Sequence, residues 1–283
     1  VDMFFMGNGL AINDPNSGYD ETGFGAVENH CYDPDYKDKK TDQNISNMYA
    51  NREPRFYASV VYQGRSWFKK WMNGNPNYIV DFSAGGGNDL SNGDNVKTGY
   101  MLGKFKNRTV NHASGDTQSW KRVSIIYRLA EFYLFYAEAL NETDPSNPDI
   151  IKYIDMVRER AGIPGYQTMN DNGIKTGIIG NYDKQFDAIQ HERYVELYCE
   201  GQRYFDIRRW MICGDKDRIG CDQTRFYGMN MKGSKDKTPG EPTSYYTRTK
   251  VENRQWTDKL YLYPIHQNVI ELANGRIPQN YGW

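Results

Sequence analysis

Between residues 127 and 164 the sequence carries two apolar periods of helical spacing with a breaker between them, and this pairing constrains the fold more than any other feature. In "YRLAEFYLFYAEALNE" the residues Leu129, Phe132, Tyr133, Tyr136 and Leu140 fall at i, i+3, i+4, i+7 and i+11, one stripe of a helix. The stripe predicts a helix over 121–141. The segment "ETDPSNP" interrupts it, and "DIIKYIDMVRERAG" resumes the period through Ile151, Ile154 and Val157 until Gly162 and Pro164 stop it. Two amphipathic helices joined by a short turn make an antiparallel hairpin. A third helix is expected from Asp183 to about Gly201, continuing or bending into a fourth through Trp210, as a second hairpin packed on the first.

The flanking regions read differently. Residues 1–50 carry Gly, Asn, Asp and Pro every few positions with no sustained period, the pattern of an ordered loop. Tyr19, Phe24, Tyr32, Tyr36 and Tyr49 threaded through it weigh against disorder. Runs of β-branched and aromatic residues at "RFYASVVYQ" (55–63), "NYIVDF" (77–82) and "TGYMLGKFK" (98–106) predict short antiparallel strands. Between the first two, "GRSWFKKWMNGNP" sets Trp67, Phe68 and Trp71 beside turn residues, a candidate exposed aromatic patch. A further short strand is expected at "KLYLYPI". The expected fold is mainly α: hairpins of tetratricopeptide-like length packed against a loop-rich region with a few short strands.

Composition removes several function classes. Across 283 residues, 35 Lys and Arg nearly cancel 36 Asp and Glu, so no global field exists to hold nucleic acid or an anionic membrane surface. The 23 Tyr, 6 Trp and 12 Phe stand beside a mean hydropathy of -0.84. That is a wet chain rich in amphipathic rings, which suit the gripping of polar ligands, although packing is the commoner use of any single Tyr. No run approaches the ~20 apolar residues of a membrane span, and "VDMFFMGNGL" lacks the basic start and apolar stretch of a secretion signal. Cys31, Cys199, Cys213 and Cys221 form no C-x-x-C pair and have no His at metal-ligand spacing, which argues against zinc. Cys213 and Cys221 lie close enough in sequence to close a small disulfide in an oxidising compartment. No G-x-S-x-G, H-E-x-x-H or phosphate-loop motif is present, and no cofactor is implied.

The most charged stretch is "HERYVELYCEGQRYFDIRRW", residues 191–210. Arg193 with Glu196, Glu200 with Arg203, Arg203 with Asp206 and Asp206 with Arg209 stand three apart, so a ladder of paired charges along a helix is expected. Val195, Tyr198, Phe205 and Trp210 are then free to pack, and Gly201 permits a close backbone approach. A glycosidase would need two carboxylates such as Glu192 and Glu196 across a glycosidic bond, but alternating charges more often pair with one another.

The same stretch resembles the ER-x-x-EL-x-x-EG-x-R-x-x-DL-x-RW signature of the SusD/RagB family. Other matches follow in the family's order: "REPRFYASVVYQG", "TGYMLGKF", "YRLAEFYLFYAEALNE", "YIDMVRERAGI" and the closing "YPIHQNVIELANGRIPQNYGW". The chain departs from the pattern at Glu53, at His266 and Tyr281 in the tail, and in the loop from Asn111 to Gln118. The resemblance implies the C-terminal half of a SusD-like nutrient-binding lipoprotein. In that picture 1–120 is a ligand-facing loop and short-strand region, 121–213 holds two helical hairpins, and 214–283 is loops and C-terminal tail.

What the resemblance implies about function is non-enzymatic capture of oligosaccharide and delivery to a TonB-dependent SusC-like transporter at the outward-facing outer membrane. The lipid anchor would lie upstream of Val1. Sugar rings present apolar C–H faces to Tyr and Trp and hydroxyls to Asn, Asp, Gln and Arg. Loop placement and ring chemistry nominate Tyr19, Tyr32, Tyr36, Tyr49, Trp67 and Trp71 as contacts. Capture of peptides by the same family, and a helical-repeat scaffold binding only protein, stand beside this reading. No nucleic-acid partner and no catalytic residue are expected.

Overall fold

The computed structural model of the protein describes residues 1–29, 40–67, 78–91, 93, 95–106, 125–215 and 226–283. By compactness the chain divides into two units, Val1–Tyr198 with Met229–Arg248, and Cys199–Gly228 with Thr249–Trp283.

The helical half of the first unit is built on α2 (Leu129–Thr143), α3 (Asp149–Arg160) and α5 (Tyr182–Glu196), which pack on one another, with the short α4 (Tyr166–Asp171) against α3. Helix α2 starts later than its sequence predicts, because Arg128 is extended (φ −141°, ψ 154°) and residues 125–128 are not helical. Residues 121–124 lie outside the described residues. Its buried face is only in part the predicted stripe, of which Tyr133 and Leu140 are half-buried against the helical cluster. Ala130, Leu134, Ala137 and Asn141 are buried, whereas Leu129, Phe132 and Tyr136 are exposed. The two stripes have the same period and differ in phase, and small residues let α3 and α5 approach closely. In α3 the expected Ile151, Ile154 and Val157 are buried with Ile150. Side-chain amides lock the seam: Gln185 Nε2 donates to Asn141 Oδ1 at 2.7 Å and to the Pro145 carbonyl at 3.0 Å, and Asn141 Nδ2 donates to the Tyr182 carbonyl at 3.0 Å.

The remainder of this unit is loops and small sheets around an aromatic core. A β-hairpin of β1 (Phe24–Asn29) and β2 (Lys40–Ser46), antiparallel with an irregularity between Gly25 and Val27, occupies part of the stretch read as loop. Only Val27 and Ile45 bury large apolar side chains there, so the period-2 signal is too thin to see in sequence. Residues 55–59, read as the start of a strand over 55–63, belong instead to α1 (Pro54–Ser59), with Pro54 opening its first turn, where a fixed φ and a missing N–H cost nothing. Strand structure begins only at β3 (Val60–Val61), paired antiparallel with β4 (Met101–Leu102). Residues 78–80 run beside 64–67 through backbone bonds without forming a regular strand. Rings fill the core: Tyr49 stacks on Tyr62 at 4.6 Å, Phe56 stacks on Tyr62 at 5.5 Å, and Tyr57 donates its hydroxyl to the Tyr49 carbonyl at 2.7 Å.

The rest of the chain forms α6 (Gln202–Arg209), a two-stranded sheet of β5 (Phe226–Met229) and β6 (Arg248–Glu252), and α7 (Gln267–Leu272), joined by irregular chain. The strand expected at "KLYLYPI" begins as a 3₁₀ turn over Asp258–Tyr261, closed by Leu260 N–H donating to the Thr257 carbonyl. The Cys213 thiol is buried and donates to the Ile207 carbonyl at 3.3 Å; Cys221, its expected partner, lies outside the described residues.

Candidate functional site

The charged signature resolves into a buried ion-pair hub. Helix α5 ends at Glu196, and the chain then turns through Cys199 (φ 58°) and Gly201 (φ 87°) before α6, so residues 191–210 are not one helix. Gly201 is needed for that left-handed φ; a Cβ there would meet nothing within 4 Å, so no close approach requires it. Asp206 and Arg209 do pair three apart at 2.9 Å. The glutamates of α5 reach instead to other elements. Arg55 of α1 bonds Glu192 at 2.5 Å, Glu196 at 2.9 Å and Glu53 at 2.6 Å, Arg158 of α3 bonds Glu192 at 3.3 Å, and Arg128 and Arg160 both bond Glu196. Lys104 closes the end of α5, donating to the carbonyls of Glu196 and Tyr198 at 2.9 and 3.1 Å. Phe205, expected to pack, is exposed, while Val195 is buried.

This environment sets the protonation of the hub. Burial acts to raise the Glu196 pKa, but the guanidinium groups of Arg55, Arg128 and Arg160 outweigh it and hold the carboxyl at about 2. Glu53 goes the other way, raised chiefly by burial with Glu192 adding to it, against the pull of Arg55. A carboxyl that stays ionised to about 2 cannot serve as the proton donor a glycosidase needs near neutrality.

The nominated aromatic residues separate into three groups. Tyr32, Tyr36 and Trp71 lie outside the described residues. Tyr49 is fully buried, its hydroxyl 3.2 Å from that of Tyr100, and it serves the core. Tyr19 and Trp67 are half-buried and reach the surface.

Tyr19 is held in a polar network. Its hydroxyl donates to Glu21 Oε1 at 2.9 Å and accepts from Arg248 Nη2 at 3.4 Å, while Arg248 bonds Glu21 at 2.6 Å and Asp2 at 3.3 Å. Burial, with the Glu21 charge, pushes the phenol up to about 12. Beside it the Thr22 N–H and hydroxyl both donate to Asp20 Oδ1 at 2.7 Å, and Asn47 Nδ2 donates to the Thr22 carbonyl at 2.6 Å. A phenol held between a carboxylate and a guanidinium offers paired donors and acceptors at its rim.

Trp67 heads a second cluster. Its backbone N–H donates to the Tyr78 carbonyl at 2.9 Å, which fixes the two aromatic residues as neighbours. Asp81 Oδ1 gathers Gln63 Nε2 at 2.8 Å and the Ser83 hydroxyl at 2.6 Å, and its Oδ2 takes Lys235 Nζ at 2.5 Å. Burial works to raise its pKa, and the Lys235, Ser83 and Gln63 bonds overcome it to lower the value. Sequence reasoning missed Glu21, Arg248, Gln63, Asp81 and Lys235. Only Asp81, two residues before Ser83, had a local signal, since short polar residues at that spacing close turns; Arg248 is 229 residues from Tyr19. Among the described residues no group of three or more His, Cys, Asp and Glu could hold a metal ion.

A family model described as the SusD family matches residues 1–283. The chain belongs to the SusD family. It is 37% identical over 82 residues to the SusD-like protein P2 of Formosa agariphila, covering 29% of this chain and 16% of that protein. Among solved structures, BT4246 superposes with a TM-score of 0.73 at 26% identity, covering 100% of this chain and 43% of that one. A SusD-like protein from Bacteroides fragilis, BF3747, superposes at 0.69 with 27% identity over 100% of this chain and 45% of that one. This SusD-family chain therefore spans less than half the length of the relatives it matches. The mainly helical architecture with a few short strands is that of SusD-like structures, and an outer-membrane lipoprotein is typical of the family.

Proposed function

We propose that this chain is part of a non-enzymatic cell-surface protein that captures oligosaccharides and passes them to a SusC-like TonB-dependent transporter, held at the outer membrane by a lipid anchor. The observation that carries the reading is the Tyr19 network, in which a half-buried ring reaches the surface with its hydroxyl held between Glu21 and Arg248. Trp67, half-buried and bonded through its backbone N–H to the Tyr78 carbonyl, supports it as a second ring that reaches the surface. Family membership supports carbohydrate as the ligand class and binding as the activity. Tyr32, Tyr36 and Trp71 remain part of the proposal as neighbours in sequence.

Calorimetric titration with a panel of oligosaccharides tests it, with Tyr19→Ala and Trp67→Ala as variants. Saturable binding without product release, weakened by either change, is expected; each lost stacking platform should cost about 0.5–1.5 kcal/mol beyond the area it buried. Folded protein that binds no glycan in the panel, or binds equally well after both changes, would overturn the reading.

A further inference from the structure

A cavity of about 730 Å³ lies in the first unit between the N-terminal loop, the chain from Ile174 to Ile178, and one face of α5. Tyr19, Tyr49 and Trp67 do not line it. Its walls are fixed by long-range bonds. Fully buried Arg158 donates to the Gly9 carbonyl at 2.7 Å and to the Pro164 carbonyl at 3.0 Å, and lies over the rings of Phe5 at 4.7 Å and Tyr166 at 4.1 Å. Gly9 has a φ of 82°, and a Cβ there would come within 2.9 Å of the Arg158 guanidinium, so this close approach requires glycine. Across the opening, Lys175 Nζ pairs with Asp14 Oδ2 at 2.6 Å. A volume in this range, walled before any ligand arrives, is what a small-molecule site looks like.

Two polar groups in the wall have capacity left over. The His191 ring stacks on Phe5 at 4.1 Å, and its Nε2 lies 2.6 Å from the Met3 carbonyl. A carbonyl only accepts, so Nε2 carries the hydrogen. Burial draws the ring's pKa down to about 4, which leaves it neutral at physiological pH with the lone pair on Nδ1. Lys184, exposed at the edge of the same cavity, has its Nζ over Gly177 and no ion-pair partner among the described residues. Leu10, Tyr166, Met169 and Ala188 supply an apolar wall. Of the two carboxylates that also line the cavity, Asp14 is taken by Lys175 and Asp187 is engaged as well, so the ammonium, the neutral acceptor and the apolar wall call for an anionic group, a neighbouring O–H or N–H donor and a compact carbon frame.

We infer that this cavity is a second binding site, for a small carboxylate-bearing ligand that also offers a hydrogen-bond donor, with Lys184 meeting the carboxylate and His191 Nδ1 accepting from the donor. Such chemistry belongs both to a sugar acid and to the C-terminal end of a short peptide. The inference does not depend on the Tyr19 platform.

Calorimetric titration of the 283-residue chain with galacturonate and with the dipeptide Ala-Ala tests it, with uncharged galactose as the control. Binding of at least one carboxylate probe, stronger than galactose, is expected, weakened about tenfold or more by Lys184→Ala and by Ile174→Trp, which fills the mouth. Both positions are exposed, so the variants should fold, and circular dichroism confirms it. Galacturonate alone binding identifies a sugar-acid site, and the dipeptide alone a peptide-terminus site. Trp67→Ala should leave this binding unchanged whatever it does to oligosaccharide. No saturable binding of either carboxylate, binding of galactose as strong as theirs, or binding untouched by both cavity variants would overturn the inference.

Discussion

Glu192 shows how much one side chain does here. With Arg55 on one oxygen and Arg158 on the other it joins α1, α3 and α5 with no exposed surface of its own. Removing one partner of a buried pair leaves the other charge desolvated, so Arg158→Met should cost about 3–5 kcal/mol in a denaturant titration. Lys152→Ala, which breaks the exposed pair with Asp149, should leave the denaturation midpoint essentially unchanged. Equal losses would mean that the hub is not desolvated as described. Two acid windows follow from the same chemistry. A His held at about 4 in the fold and near 6.5 unfolded binds its proton more readily when unfolded, so His191 contributes stability above pH 6.5 that is lost between 6.5 and 4. Glu196, held at about 2 against an ordinary 4.5, contributes stability above 4.5 that is lost as pH falls toward 2. Glu53, with its raised value, opposes this, because its contribution is present in acid and fades as pH climbs past the ordinary carboxylate range. Each window is therefore read by difference: Glu196→Gln should flatten the stability profile between 4.5 and 2 and leave the 6.5–4 slope intact.

Element by element, the helices were legible in the sequence because a 3.6 period survives whatever they pack against, but the period does not say which stripe faces inward. In α2 the larger residues draw the eye, yet Leu134 is fully buried and Phe132 is 55% exposed. Leu134→Ala should therefore cost about 2–5 kcal/mol, and Phe132→Ala should fall within about 0.5 kcal/mol. The reverse order in chemical denaturation would restore the aromatic stripe as the core face. The break between α5 and α6 was left open for a related reason: charge spacing across 191–210 fits a continuous helix as well as a bend near Gly201, and left-handed Cys199 and Gly201 make the bend. Of the strand expected at 55–63 only Val60 and Val61 form one, because the β-branched residues are confined to those two positions, while Pro54 in the first turn starts a helix. For the candidate site, the sequence placed Tyr19 and Trp67 near the surface but could not supply Arg248 or Lys235, whose proximity is made by the fold alone.

At the scale of the whole molecule, the two compact units differ in how much they bury. The first holds both hydrophobic clusters, with Leu134, Ile150, Ile154, Met169 and Ile189 in one and Tyr49, Phe56, Tyr62 and Phe82 in the other all fully enclosed. In the second, no residue from Val251 to Trp283 is buried, and Leu272, Tyr263 and Tyr281 stand at 83%, 74% and 85% exposure. Polar bonds and ring contacts at the surface order that stretch: Trp283 Nε1 donates to the Lys259 carbonyl at 2.9 Å, Gln279 exchanges bonds with the Ile265 backbone at 2.7 and 2.9 Å, the Cys213 N–H donates to the Tyr261 hydroxyl at 3.1 Å, and Trp256 meets Tyr261 edge-on at 4.8 Å. Hydrogen bonds open to water contribute about 1 kcal/mol net each, whereas the enclosed helices open only with their cluster. Native-state hydrogen exchange on this chain should accordingly find amides of α7 and its flanks exchanging through local opening, at free energies near zero to about 2 kcal/mol, while α3 and the buried face of α5 exchange only at the global value. If a longer form of the protein covers Leu272 and Tyr281, protection of α7 should rise there while α3 and α5 change little. Matching protection of α7 and α3 in the 283-residue chain would show instead that the exposed stretch is held by more than the bonds described.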